Sequence, residues 1–80
     1  MIAPTILVVE DDRELRGVLV RGLEEEGFAA RGAGSGVELL ERVDAHVPDA
    51  LVIDIGLPDA DGRDLCQALW ARGVQAPVLS

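Results

Sequence analysis

Lysine and tyrosine are absent from the 80-residue chain, and cysteine, phenylalanine and tryptophan each occur once. The seven basic residues are all arginines, set against fifteen acids for a net charge of −8. A phosphate-binding surface needs clustered Lys or Arg, so this segment is not expected to bind nucleic acid. The single Cys66 excludes an internal disulfide framework and suits a reducing cytosol; with no base near it in sequence, it reads as a small apolar residue on a helix. The start of the chain has no basic targeting region, and no apolar run approaches the roughly 20 residues that span a bilayer. A soluble cytoplasmic protein with no membrane association is expected. The apolar fraction of 49% is ample for one small domain, but with so few aromatics the core must be built from Ala, Val and Leu.

Four parallel strands alternating with three helices account for the apolar pattern. Ile6-Leu7-Val8-Val9 and Ala50-Leu51-Val52-Ile53 are continuous apolar runs of the kind buried on both faces of a parallel sheet. Between them, Leu15, Val18, Leu19 and Leu23 recur at helical spacing, predicting a helix of about three turns whose apolar side faces inward, capped by Asp12 or Asp11 and stopped at Gly27. Phe28-Ala29-Ala30-Arg31 reads as an edge strand, and Gly32, Gly34, Ser35 and Gly36 as a flexible turn. A second helix follows with Val37, Leu39, Leu40 and Val43 inward, broken by Pro48-Asp49. A third carries Leu65 and Leu69, with Cys66 and Trp70 inward as well, and ends at Gly73; Ala76-Pro77-Val78-Leu79-Ser80 opens a fourth strand. The order βαβαβαβ, with helix-length crossovers, calls for a parallel sheet with helices on both faces. No linker or internal repeat interrupts it.

Acids are placed where such a fold binds ligands. Glu10, Asp11 and Asp12 end the first apolar run and Asp54 ends the third, so both strands deliver carboxylates to the carboxyl edge of the sheet. Like charges held that close repel and shift one another's pKa unless a cation intervenes, so the cluster is a hard-cation site or a costly accident. Most remaining acids, including Glu24, Glu25, Glu26, Glu38, Glu41, Asp44 and Asp64, read as a solvated surface. Asp12 and Asp61 read as helix caps, Asp59 as a solvated turn residue and His46 as an exposed helix-end residue. Gly32-Ala33-Gly34-Ser35-Gly36 has the wrong spacing and place for a dinucleotide loop.

Taken together, Ile6-Leu7-Val8-Val9-Glu10-Asp11-Asp12, Leu15-Arg16, Pro48-Asp49-Ala50-Leu51-Val52-Ile53-Asp54 and Leu57-Pro58-Asp59-Ala60-Asp61-Gly62 resemble the receiver domain of bacterial two-component response regulators, most like those with a winged-helix DNA-binding effector (OmpR/PhoB-like). The resemblance runs over essentially the whole chain, in order. It implies a flavodoxin-like (CheY-like) doubly wound α/β sheet of order 2-1-3-4. It also implies that Asp54 accepts a phosphoryl group from a sensor histidine kinase. Glu10, Asp11, Asp54 and the Gly56 backbone carbonyl would hold Mg²⁺, or another divalent cation such as Mn²⁺, with Asp11 the more direct ligand, Glu10 acting through water and Pro58 shaping the turn. Mg²⁺ favours octahedral oxygen ligands and open positions for phosphate oxygens, which this donor set meets. A haloacid-dehalogenase-type phosphatase would need a second Asp where Gly56 stands.

Receivers also carry a Ser or Thr ending the fourth strand and a Lys ending the fifth. The hydroxyl residue should fall two positions beyond Ser80, so Ser80 does not fill that role, and no Lys is present to fill the other. The expectation is therefore residues 1–80 as the N-terminal part of one receiver domain, lacking the fifth strand and last helices, with any DNA-binding effector beyond Ser80. An uncovered apolar face where the last helix would pack then calls for one of three situations: a truncated fragment, a longer protein, or a self-association that covers the gap as a homodimer or a domain-swapped oligomer. The segment is read as a phosphoacceptor, not an enzyme; the alternative is a receiver-like interaction module that does not switch by phosphorylation.

Overall fold

The computed structural model describes residues 2–54, 56–57, 59 and 61–79. Seven elements follow in the expected alternation: β1 (Thr5–Val9), α1 (Arg13–Glu25), β2 (Ala29–Ala33), α2 (Gly36–Ala45), β3 (Ala50–Ile53), α3 (Gly62–Ala71) and β4 (Val78–Leu79). The strands form one sheet in the order β2-β1-β3-β4, with every pair parallel. Each crossover is a helix because parallel neighbours cannot be joined by a tight turn. The predicted sheet order and edge position of β2 are both observed.

The register places the two acid-bearing strands side by side. Val8 pairs with Val52 and Val9 with Ile53, so the next residues, Glu10 and Asp54, emerge together at the carboxyl edge. At the opposite edge Asp49 fastens the start of β3 to β1: its carboxylate accepts the Thr5 N–H at 2.7 Å, and its own N–H donates to the Thr5 carbonyl at 2.9 Å.

The core lies mainly on one face. Leu7 and Val9 of β1, Leu51 and Ile53 of β3, Leu39 and Val43 of α2, and Leu65 and Leu69 of α3 form one buried cluster, because alternate strand residues share a face and helix positions four residues apart do the same. Gly27 and Gly73 close α1 and α3 in left-handed conformations, φ 95° and 76°, which a side chain would disfavour. Around Gly27, the Phe28 N–H reaches the Leu23 carbonyl and the Gly27 N–H that of Glu24, each within 3.1 Å, satisfying carbonyls that the helix end would otherwise orphan.

The other face differs from expectation. α1 buries none of its residues: Leu15 is 45% exposed and Val18 55%, with Leu19 also exposed. The helix lies over β1 and β2, and only the sheet side of its apolar stripe finds a neighbour. Val37 in α2 is exposed rather than inward, Trp70 is 74% exposed, and Cys66 is only half-buried. In α3 the inward stripe narrows to Leu65 and Leu69, so Trp70, one residue beyond Leu69, turns to solvent. β2 also runs on to Ala33 instead of ending at Arg31, because pairing with Val8 and Val9 extends the strand through Gly32. Expectations about Pro58 and Ser80 fall outside the described residues. Among the described residues, no helix is long and apolar enough to cross a membrane.

Candidate functional site: an acidic pocket at the sheet edge

Glu10, Asp11 and Asp54 come together as the sequence predicts, each offering a carboxylate oxygen within 4.8 Å of the others. Two of them are held in place by backbone hydrogen bonds. The Glu10 N–H donates to the Ala33 carbonyl on β2 at 3.0 Å, and the Asp54 N–H donates to the Val9 carbonyl on β1 at 2.9 Å. Three adjacent strands therefore fix two of the acids.

Burial differs across the cluster, and so does its chemistry. Glu10 is the one buried charged residue among those described, 7% exposed, whereas Asp11 is exposed and Asp54 half-buried. Burial pushes the Glu10 carboxyl above the ordinary carboxylate range; Asp11 and Asp54 push the same way, while the Asp12 N–H, 3.3 Å from Glu10 Oε2, pulls it partly back. Among the described residues, the ion pairs are Arg42–Glu38 and Arg72–Asp44, so no cationic side chain neutralises this pocket. An oxygen-only donor set, crowded and unneutralised, fits a hard divalent cation.

The surrounding residues take the parts that local chemistry dictates. Asp12 Oδ1 accepts the Leu15 N–H at 3.1 Å as the cap of α1, and Asp61 caps α3 by accepting the Arg63 N–H at 2.8 Å; both expectations hold. The Gly56 N–H donates to Asp54 Oδ1 at 3.2 Å, drawing the following loop back onto the carboxylate. His46 is exposed at the end of α2, as expected. Asp59 is not simply solvated: although exposed, its carboxylate accepts the N–H groups of Gly36 at 2.9 Å and Val37 at 3.2 Å. That contact spans more than twenty residues of sequence, so no local pattern signals it. Arg16, which no local sequence pattern singles out, donates from Nη1 to the Glu10 carbonyl at 2.8 Å.

A doubly wound parallel sheet with a pocket of carboxylates at its carboxyl edge defines the class. Residues 6–80 match the response regulator receiver domain, and the chain belongs to that family. It is 43% identical over 74 residues to the response regulator MprA of Mycobacterium ulcerans, an alignment covering 92% of this chain and 32% of that protein. To the transcriptional regulatory protein CreB of Escherichia coli it is 39% identical over 75 residues, covering 94% and 33%. The Francisella response regulator 1452 receiver domain superposes with a TM-score of 0.86 at 31% identity, over 94% of this chain and 62% of that structure. The chain spans about a third of the length of these curated relatives.

Proposed function

We propose that this chain is the phosphoryl-accepting part of a signalling regulator, taking a phosphoryl group from a histidine kinase onto Asp54. The observation that carries this reading is the convergence of Glu10, Asp11 and Asp54 at the sheet edge, where a receiver's acceptor and cation-binding acids belong. A carboxylate oxygen of Asp54 attacks the phosphorus of a phosphohistidine, the P–N bond breaks, the imidazole leaves and an acyl phosphate remains. Asp54 suits this role because it follows a buried strand yet is half-exposed, and the Gly56 N–H orients its carboxylate. Mg²⁺ held by Asp11, Asp54 and the Gly56 carbonyl, with Glu10 assisting through water, would offset the charge of the incoming phosphoryl group.

The chain is an acceptor, not a turnover catalyst, and it acts in the cytoplasm. In view of CreB, a transcriptional regulatory protein, its output is control of transcription through a DNA-binding effector outside these residues. The exposed apolar side of α1 supports self-association as the oligomeric reading.

Intact mass after incubation with acetyl phosphate and Mg²⁺ tests the acceptor role. One added phosphoryl group, lost on chelation of Mg²⁺ and absent from Asp54→Asn, supports it. A folded, cation-binding chain that gains nothing, even in the presence of a histidine kinase, favours the interaction-module alternative.

A further inference from the structure

The glycines at 32 and 34 have no conformational reason to be glycine. Neither is left-handed; among the described residues only Gly27 and Gly73 have positive φ. What they leave is space. A Cβ on Gly32 would stand 2.9 Å from Arg16 Cδ and 3.0 Å from its Cγ, and a Cβ on Gly34 would stand 2.9 Å from Arg16 Nη1. The two missing side chains form a slot at the end of β2, and the Arg16 side chain fills it.

The tip of that side chain reaches the acidic pocket from behind. Nη1 donates to the Glu10 backbone carbonyl at 2.8 Å, not to a carboxylate, so the guanidinium leaves the three acids unneutralised while holding the chain that carries two of them. The far wall of the slot is held as well. The Gly34 N–H donates to Glu38 Oε2 at 3.0 Å, and that N–H, followed by Arg42 and then Arg16, holds the Glu38 carboxyl below the ordinary range. Glu10 is thus gripped at its N–H by Ala33 and at its carbonyl by Arg16. The peptide bond between Glu10 and Asp11 takes its orientation from this grip.

We infer that Arg16 is a positioning residue for the acidic pocket: seated in the slot left by Gly32 and Gly34, its guanidinium fixes the Glu10 carbonyl and thereby aims the Glu10 and Asp11 carboxylates toward Asp54. The inference rests on the cation-site reading for its consequence but not for its geometry. Outer contacts that orient metal ligands typically carry about a tenfold or larger effect on affinity.

A double-mutant cycle tests it on the full chain. Arg16→Ala removes the donor; Gly34→Ala, whose Cβ meets Nη1, displaces it; Gly22→Ala is the control, since a Cβ there meets nothing within 4 Å. Without any cation, both test variants should move the Glu10 carbonyl and Asp11 amide NMR resonances in the same sense, and Gly34→Ala should add little in the Arg16→Ala background. Mg²⁺ affinity, read by calorimetry, should fall about tenfold in each single variant and no further in the double. Additive effects, or a folded Arg16→Ala chain with unchanged Glu10 resonances or unchanged affinity, would overturn the inference. If Arg16→Ala does not fold, Gly34→Ala against Gly22→Ala decides by the same two readings. A native chain that binds no Mg²⁺ would sink the phosphoacceptor proposal instead, and the cation-free resonances would still decide the role of Arg16.

Discussion

Asp59 accepts the backbone N–H of Gly36 at 2.9 Å, so the segment that follows β3 is tied to the first turn of α2. A helix N-terminus presents unpaired donors and a partial positive charge, and a carboxylate answers both. Removing the carboxylate should free both groups at once. Asp59→Ala is expected to lower the urea midpoint and speed hydrogen exchange at Gly36 and Val37, with Asp59→Asn intermediate because an amide oxygen still accepts. Unchanged exchange at those amides in Asp59→Ala would contradict the contact.

Glycine positions in and after α1 should respond with opposite signs. Gly27 has φ 95°, and Gly27→Ala should cost about 1–2 kcal/mol. Gly22 is a helical residue with open space where a Cβ would go, and Gly22→Ala should gain about 0.5–1 kcal/mol. Urea denaturation of the pair checks both, and a shared sign would refute the assignment of Gly27 as the helix terminator.

The packed face should be far less tolerant than the open one. Leu39 is fully buried at the centre of the core, and Leu39→Ala is expected to cost about 2–5 kcal/mol, enough to unfold much of the population of a domain this small. Trp70→Ser, on the solvent side of α3, should stay within about 0.5 kcal/mol of the native chain. Chemical denaturation of the two separates a buried anchor from a surface aromatic.

Acid and base should act on the pocket and on the surface acids in opposite directions. Glu38 and Asp59 have folded-state pKa values below the ordinary ones, chiefly through the N–H groups of Gly34 and Gly36. Their stabilisation is present above the unfolded-state pKa and is lost as pH falls through the folded value. Glu10 is raised by burial; its contribution is present below the unfolded pKa and is lost as pH rises through the folded one, because burying its charge then costs stability. Glu10→Gln should therefore raise the melting temperature most above the Glu10 transition. Mg²⁺ should protect the native chain more at pH 8 than at pH 5, and protect Glu10→Gln less. Melting curves across pH with and without Mg²⁺ test this, and a Mg²⁺ effect independent of pH would contradict it.

What could be read from the residues was whatever short-range pattern determines. The two four-residue apolar runs announced β1 and β3, the four-residue spacing of Leu39 with Val43 and of Leu65 with Leu69 announced the core face, and Gly27 and Gly73 announced helix ends. The acidic pocket followed from these, because a parallel register necessarily brings the ends of β1 and β3 together. Long-range events were not legible. Asp59 finds its donors across 23 and 22 residues, and the Arg16 slot needs β2 to extend to Ala33 alongside α1, neither of which a local window contains. The apolar spacing of Leu15, Val18 and Leu19 is genuine, but spacing reports which side of a helix is oily, not whether a neighbour stands there.

The pairing of Val9 with Ile53 makes the pocket a gauge of strand registry. Because successive strand residues point to opposite faces, a slip of one position between β1 and β3 would turn the Glu10 and Asp54 carboxylates to opposite faces of the sheet. A chain misaligned in this way could keep its helices and much of its compactness and yet be blind to a divalent ion. Cation uptake during refolding would thus time the moment at which the central strands lock into their correct alignment, and the ion itself would act as a proofreader that rewards only that alignment.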